Sequence, residues 1–234
     1  MVTVPPPRRI SSGRTLAVGV PPLIAESLVV PLVRRFTQAR PGALLRLHEA
    51  PSHQLLDWTL AGRVDLAIVF NVEASAAVRL ETIATDDLML IGAAGRPPMD
   101  ATDAIPLDAV LALPLLMPRS GGGLHGMLEK AARQRGVRPD ISFRVDGIAP
   151  ILSLVRQGLG FTLLPFAAVA TRVANGELRA RPIVGPALPG VLSIASRSGR
   201  RFTPAMEQFS ACTREEPALR RNDPVRCQPA CVGE

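Results

Sequence analysis

Apolar and polar positions along this chain switch repeatedly between a period of two and a helical period. Between Pro41 and Phe70 the sequence reads PGALLRLHEAPSHQLLDWTLAGRVDLAIVF. Leu45, Leu47 and Glu49 alternate with Leu44, Arg46 and His48, which predicts a strand over 44–49. Leu55, Leu56, Thr59 and Leu60 recur at helical spacing, and Gly62 closes that helix. Leu66 to Phe70 is an unbroken apolar run, the pattern of a parallel strand covered on both faces. Upstream, Thr15 to Val20 is a strand that stops at Pro21-Pro22 and feeds a helix over 23–38, with Ile24, Leu28, Leu32 and Phe36 along one face. Pro31 inside that helix is expected to kink or interrupt it.

Leu88 to Ile91 reads as a further short strand, and Pro97 to Asp108 as a Pro- and Asp-rich crossover between lobes. Strands then follow at 113–117, 141–145, 160–164, 178–183 and 191–196. Helices are predicted at 124–135, 149–157, 166–174 and 204–213. Residues 1–13 (Pro5-Pro6-Pro7, then Ser11-Ser12-Gly13) read as a disordered arm, and residues 217–234 as a disordered tail. Alternating strands and helices argue for an α/β protein with parallel sheets, and their number favours two lobes over one short sheet. In such sheets ligands sit outside the carboxyl ends of the strands. Here those ends carry Glu49-Ala50-Pro51-Ser52-His53 and Phe70-Asn71, so Ser52, His53, Phe70 and Asn71 are candidate ligand contacts.

Charge narrows the partners. The net charge is +7, which invites a nucleic-acid reading. Its excess lies at the flanks, in Arg8, Arg9 and Arg14 and in Arg197, Arg200 and Arg201, with no basic stripe across the predicted fold. No run approaches the length of an uncharged membrane span. The opening MVTVPPPRRISSG has no apolar secretory core, which places the chain in the cytoplasm. Cys212, Cys227 and Cys231 cluster near the C-terminus and read as incidental thiols in a tail, too few ligands for a metal. No metal or other cofactor is implied.

Candidate chemistry is sparse. Gly121 to Gly126 (GGGLHG) satisfies G-x-G-x-x-G before a helix, with Asp146 downstream. Pro118-Arg119-Ser120 separates it from the preceding strand, whereas the dinucleotide fingerprint turns directly off its strand. The segment reads either as a flexible loop before a helix or as a loop whose N–H groups and helix start face an anionic ligand. His48, His53 and His125 show no metal-ligand spacing, and no G-x-S-x-G is present. Ser52 reads as a helix cap with ligand contact as a second role. Asp57 and Asp65 read as solvated carboxylates, and Trp58 and His48 as packing residues. Nothing here assembles an active site, so the chain reads as a binder and not an enzyme.

LAGRVDLAIVF, the upstream RTLAVGVPP (Arg14 to Pro22) and the downstream VRQGLGFTLLP (Val155 to Pro165) together resemble the effector-binding domain of LysR-type transcriptional regulators, over Arg14 to Glu215. The resemblance implies a two-lobed, type 2 periplasmic-binding-protein-like fold, each lobe a mostly parallel sheet flanked by helices. Lobe one would be 14–93 plus 186–216, and lobe two 94–185. It implies a small-molecule effector gripped between the lobes, signalling by hinge closure, and a homodimer. It adds Pro22, Leu23, Arg119, Ser120, Asp146 and Phe161 to the cleft. The sequence departs from the family at Pro21-Pro22-Leu23, where many members place Ser or Thr, and at Glu49-Ala50, where the family has Glu-Gly. With 13 residues before Arg14, the helix-turn-helix is expected to be absent and DNA binding by this chain alone is not expected. The rival readings are a transporter's solute-binding protein and a nucleotide-dependent enzyme using Gly121 to Gly126.

Overall fold

A computed structural model of the chain describes residues 15–101, 103–118 and 123–219. Strand β1 (Thr15–Val20) leads into helix α1 (Pro22–Ala39), followed by β2 (Leu44–Glu49), α2 (Ser52–Leu60) and β3 (Leu66–Phe70). β2 and β3 flank β1 and run parallel to it, because each return passes through a helix. β3 is buried along its whole length. Leu66, Ile68 and Phe70 face the main core, and Ala67 and Val69 face a smaller cluster with Leu55 beneath α2. α2 lies so close to β1 that a Cβ at Gly19 would stand 2.5 Å from Leu55 Cδ2. α1 runs unbroken through Pro31. Leu28, Leu32 and Phe36 bury on either side of the proline, and this packing outweighs the lost backbone hydrogen bond.

The next strand, β4, runs from Val78 to Ala93, where the alternation had marked only 88–91. Its first half pairs antiparallel with β10 (Pro189–Arg197). Its second half pairs antiparallel with β8 (Thr162–Pro165) and β9 (Leu178–Val184). β10 in turn pairs with β3. Two long antiparallel paths, β4 in one direction and β9–β10 in the other, therefore carry the chain between the two lobes. The first change of partner falls at Asp87/Leu88, six residues ahead of the expected boundary at 93/94. The sheet is mixed, with parallel pairs at its flanks and antiparallel ones at the crossings. A strand that passes straight from one lobe to the other has no helix to reverse it.

The Pro- and Asp-rich stretch 97–108 is not a crossing. Arg181 on β9, 7% exposed, donates to the carbonyls of Pro98 (2.5 Å) and Asp103 (2.9 Å) and clamps the loop to the second lobe. The loop leads into β5 (Ile105–Pro106) and α3 (Leu107–Leu111). The second lobe is completed by β6 (Leu115–Met117) and α4 (Gly123–Gln134), then β7 (Ile141–Arg144), parallel to β6, α5 (Ile148–Arg156) and α6 (Ala170–Ala174). A short 3-10 turn at Phe166–Ala168 precedes α6, splitting the single helix expected over 166–174.

α7 (Pro204–Arg214) returns to the first lobe, where Phe209 meets Phe36 edge-on at 5.8 Å. Thr203 caps it, accepting from Met206 N–H at 3.3 Å. Cys212 lies on this helix and is buried in the core, so it is not a tail thiol. The periodic helix, rather than its place near the C-terminus, decides its burial. Cys227, Cys231 and the expected arm 1–13 lie outside the described residues. Leu219, in a 3-10 turn over Pro217–Leu219, is buried against the core. Asp65 is likewise no solvated carboxylate. Its Oδ2 accepts from Ala17 N–H at 2.8 Å and its Oδ1 pairs with Arg200, tying β1 to the residues after β10. Asp57 is exposed. His48 stacks edge-on against Trp58 at 6.0 Å, with the Arg63 guanidinium 4.2 Å over the indole.

Candidate ligand-binding cleft

Four helices begin at one place. The first residues of α1 (Pro22, Leu23), α2 (Ser52), α4 (Gly123, Leu124) and α5 (Ile148) line a cavity of about 110 Å³ between the lobes. Phe70 at the end of β3, Pro118 beyond β6, and the pre-helical residues Pro21, Pro51 and Gly147 complete it. α1, α2 and α5 start after Pro21, Pro51 and Gly147, and none of these residues has a side chain able to accept a hydrogen bond. The first-turn N–H groups of a helix have no partner within the helix. Those ends also carry the positive poles of the helix dipoles. The cavity is thus apolar in its side chains apart from the Ser52 hydroxyl, and electropositive in its backbone.

A second cavity of about 360 Å³ shares Pro22, Leu23, Gly147 and Ile148 with the first and reaches Glu26 and Glu49. The described side chains of the inner cavity include no ionisable group. At the outer one, Arg172 of α6 pairs with Glu26 of α1 at 2.9 Å, an ion pair from one lobe to the other. For scale, an apolar cavity of roughly 150 Å³ admits benzene. The inner space suits a small apolar fragment, with room for a longer molecule through the outer one.

Of the residues singled out from sequence, Pro22, Leu23, Ser52 and Phe70 line the inner cavity. The Ser52 hydroxyl does not cap α2, which begins after Pro51. It accepts from Phe70 N–H at 3.0 Å, fixing the start of α2 to the end of β3. Asn71 stands beside the wall in a left-handed conformation (φ 46). Its N–H donates to Val191 O at 2.9 Å and its Oδ1 accepts from Val191 N–H at 2.6 Å. Its amide nitrogen contacts Met127 Sδ on α4, so Asn71 joins the two lobes. His53 is exposed and off the cavity wall, as is Asp146, although its neighbour Gly147 lines the wall. Phe161 is a core residue of the second lobe, its N–H and carbonyl bonded to Pro114 O (2.9 Å) and Leu116 N (2.7 Å). Arg119 and Ser120 lie outside the described residues, between Pro118 and Gly123, which both line the cavity.

Pro21, Pro51, Pro118, Gly123, Leu124, Gly147 and Ile148 also line the wall and are not among the residues that the sequence singles out. The signal for five of them is a Pro or Gly between a strand end and a helix start, and Leu124 and Ile148 each directly follow such a glycine. Gly123 carries the clearest geometric demand, since a Cβ there would stand 2.5 Å from Asn71 Cβ and 3.1 Å from the carbonyl oxygens of Phe70 and Asn71. α4 therefore begins directly against the end of β3. Among the described residues no group of His, Cys, Asp or Glu is placed to hold a metal ion. No helix among them is long and apolar enough to cross a membrane.

A family model described as the LysR substrate binding domain matches residues 10–218. The Escherichia coli K12 "DNA-binding transcriptional dual regulator OxyR" is 26% identical over 199 residues, covering 85% of this chain and 65% of that protein. A "probable hydrogen peroxide-inducible genes activator" of Streptomyces viridosporus is 29% identical over 219 residues, covering 90% and 67%. The chain thus spans about two thirds of the length of these relatives. The reduced OxyR regulatory domain of Pseudomonas aeruginosa superposes with a TM-score of 0.73 at 22% identity, covering 86% of this chain and 96% of that one. The effector binding domain of QuiR in complex with shikimate does so at 0.72 and 18%, covering 89% and 96%. These likenesses establish the two-lobed α/β fold.

Proposed function

The chain belongs to the LysR substrate binding domain family, and from this premise we propose that it is the sensing domain of a transcriptional regulator, binding a small organic effector between its lobes. The observation that carries the reading is the meeting of four helix starts, from both lobes, on one apolar cavity. A ligand there touches both lobes at once, so it favours the arrangement in which they are close. The movement is a hinge about the crossings near Asp87/Leu88 and 185–188, where the two long strand paths pass between lobes. Among the described residues no base stands beside Ser52 at the inner cavity, which supports binding without turnover.

Two of the relatives are named for hydrogen peroxide or OxyR. No cysteine precedes Cys212 in this chain, and Cys212 is buried on α7. Among the described residues no thiol lines the cleft, which favours a ligand over a thiol oxidant sensor there. DNA contact is left to a segment other than the described residues, and the protein works in the cytoplasm as a homodimer. Leu47 on the edge strand β2 and Phe143 on β7 are exposed apolar residues suited to the dimer contact.

The test is thermal denaturation against a metabolite library. A binder present at 100 times its Kd adds about 2.7 kcal/mol to stability. Ile148→Trp, which fills the inner cavity, should abolish the shift, and mass spectrometry should recover the ligand unchanged. A ligand bound equally well by Ile148→Trp, or converted to product, would overturn the reading.

A further inference from the structure

We propose that Met127 is an oxidation site that loosens the contact between the lobes. The chain has six methionines. Met89, Met99, Met117 and Met206 are buried, at 4% exposure or less. Among the described residues Met127 alone is partly exposed. It sits on α4 one turn beyond Gly123, and its sulfur contacts the Asn71 amide nitrogen of the other lobe. Asn71 cannot turn away to accommodate a change in its partner. Its backbone and its Oδ1 are both bonded to Val191, which leaves only the amide nitrogen facing α4.

Hydrogen peroxide, or another two-electron peroxide, transfers one oxygen to the thioether. The O–O bond breaks, sulfur is oxidised by two electrons, and the second oxygen leaves as water from hydrogen peroxide or as the alcohol from an organic hydroperoxide. The product is a polar sulfoxide in place of a weak acceptor. Gly123 already packs against the Phe70 and Asn71 carbonyls without room for a methyl group. An oxygen turned toward Asn71 comes between the sulfur and the amide nitrogen that now touch, and pushes α4 away from the end of β3. An oxygen turned toward solvent leaves the Asn71 N–H without its partner. Both orientations weaken the same interlobe contact, beside the cavity wall formed by Phe70, Gly123 and Leu124. Sulfoxide reductases reverse the change.

The consequence for signalling rests on the hinge reading above, but the test needs no ligand. The full chain is treated with graded hydrogen peroxide, and oxidation is mapped by peptide mass spectrometry alongside small-angle scattering and thermal unfolding. Met127 should gain one oxygen well before Met89, Met99, Met117 or Met206. The singly oxidised protein should have a larger radius of gyration and a midpoint lower by about 2–4 °C, the shift of a weak contact in a chain of this size. Methionine sulfoxide reductase should restore both. Met127→Leu, which keeps the volume without an oxidisable sulfur, should fold and not respond. Oxidation of the buried methionines at the same rate would overturn the proposal, as would unchanged scattering and midpoint after oxidation, or an equal response from Met127→Leu. None of these failures would touch the ligand-binding reading, which its own library screen decides.

Discussion

Asp86→Asn should stabilise the protein at neutral and alkaline pH and leave it nearly unchanged in mild acid. Asp86 lies on β4 at the crossing, beside Asp87. Burial pushes its carboxyl up from 3.8 to about 6, opposed by the N–H groups of Ala167 and Phe166 and helped by the Asp87 charge. The Ala167 N–H donates to Oδ2 at 3.3 Å. A folded pKa above the unfolded one means that the native state binds the proton more tightly. The stability this gives is complete below 3.8 and is lost as pH rises through about 6. A shift of about two units corresponds to roughly 3 kcal/mol, an upper figure for a residue that keeps some contact with water. Asparagine avoids that cost but offers one oxygen where the carboxylate offered two, losing about 1 kcal/mol of hydrogen bonding. The net gain above the transition is roughly 1–2 kcal/mol, or about 2–8 °C in midpoint for a chain of this length. Differential scanning calorimetry of both proteins from about pH 4.5 to about pH 8 reads the difference directly. A difference that is constant with pH, or that shrinks as pH rises, would refute the reasoning.

Three further outcomes follow from single contacts. Gly123→Ala places a methyl group 2.5 Å from Asn71 Cβ; overpacking of this kind costs about 1–3 kcal/mol, and small-angle scattering should show the lobes further apart. Asp65→Ala strands Ala17 N–H and Arg200 and should lower the stability measured in urea by about 2–3 kcal/mol. Replacing both Leu47 and Phe143, exposed at 39% and 47%, by Lys should give a monomer by light scattering whose unfolding midpoint no longer depends on protein concentration; a dimer that persists would move the contact elsewhere.

Periodicity alone marked the β1-α1-β2-α2-β3 unit to within a residue or two. β3 shows why: five apolar residues in a row can be satisfied only by cover on both faces, and the structure supplies α2 on one side and the main core on the other. The same signal failed at β4. Its first half carries Arg79, Glu81, Thr82 and Asp86, which hide a strand whose ladder partner is more than a hundred residues away in β10. Ser52 and Phe70 could be read as cleft residues because strand ends are local, whereas Phe161 could not be placed, because its partners Pro114 and Leu116 lie at and just before the distant strand β6.

The sequence by itself thus determined which segments fold as helices and strands and which faces they bury, since those depend on spacing along the chain. Tertiary structure decided the cavity and its electrostatics, because four helix starts separated by up to 126 positions, from Pro22 to Ile148, converge only once the strand order is set. It also decided the roles of Asn71, Gly123 and Met127. An amide that reaches a sulfur on another helix, and a glycine that a distant strand end requires, are products of how two lobes approach, and no local pattern encodes that distance.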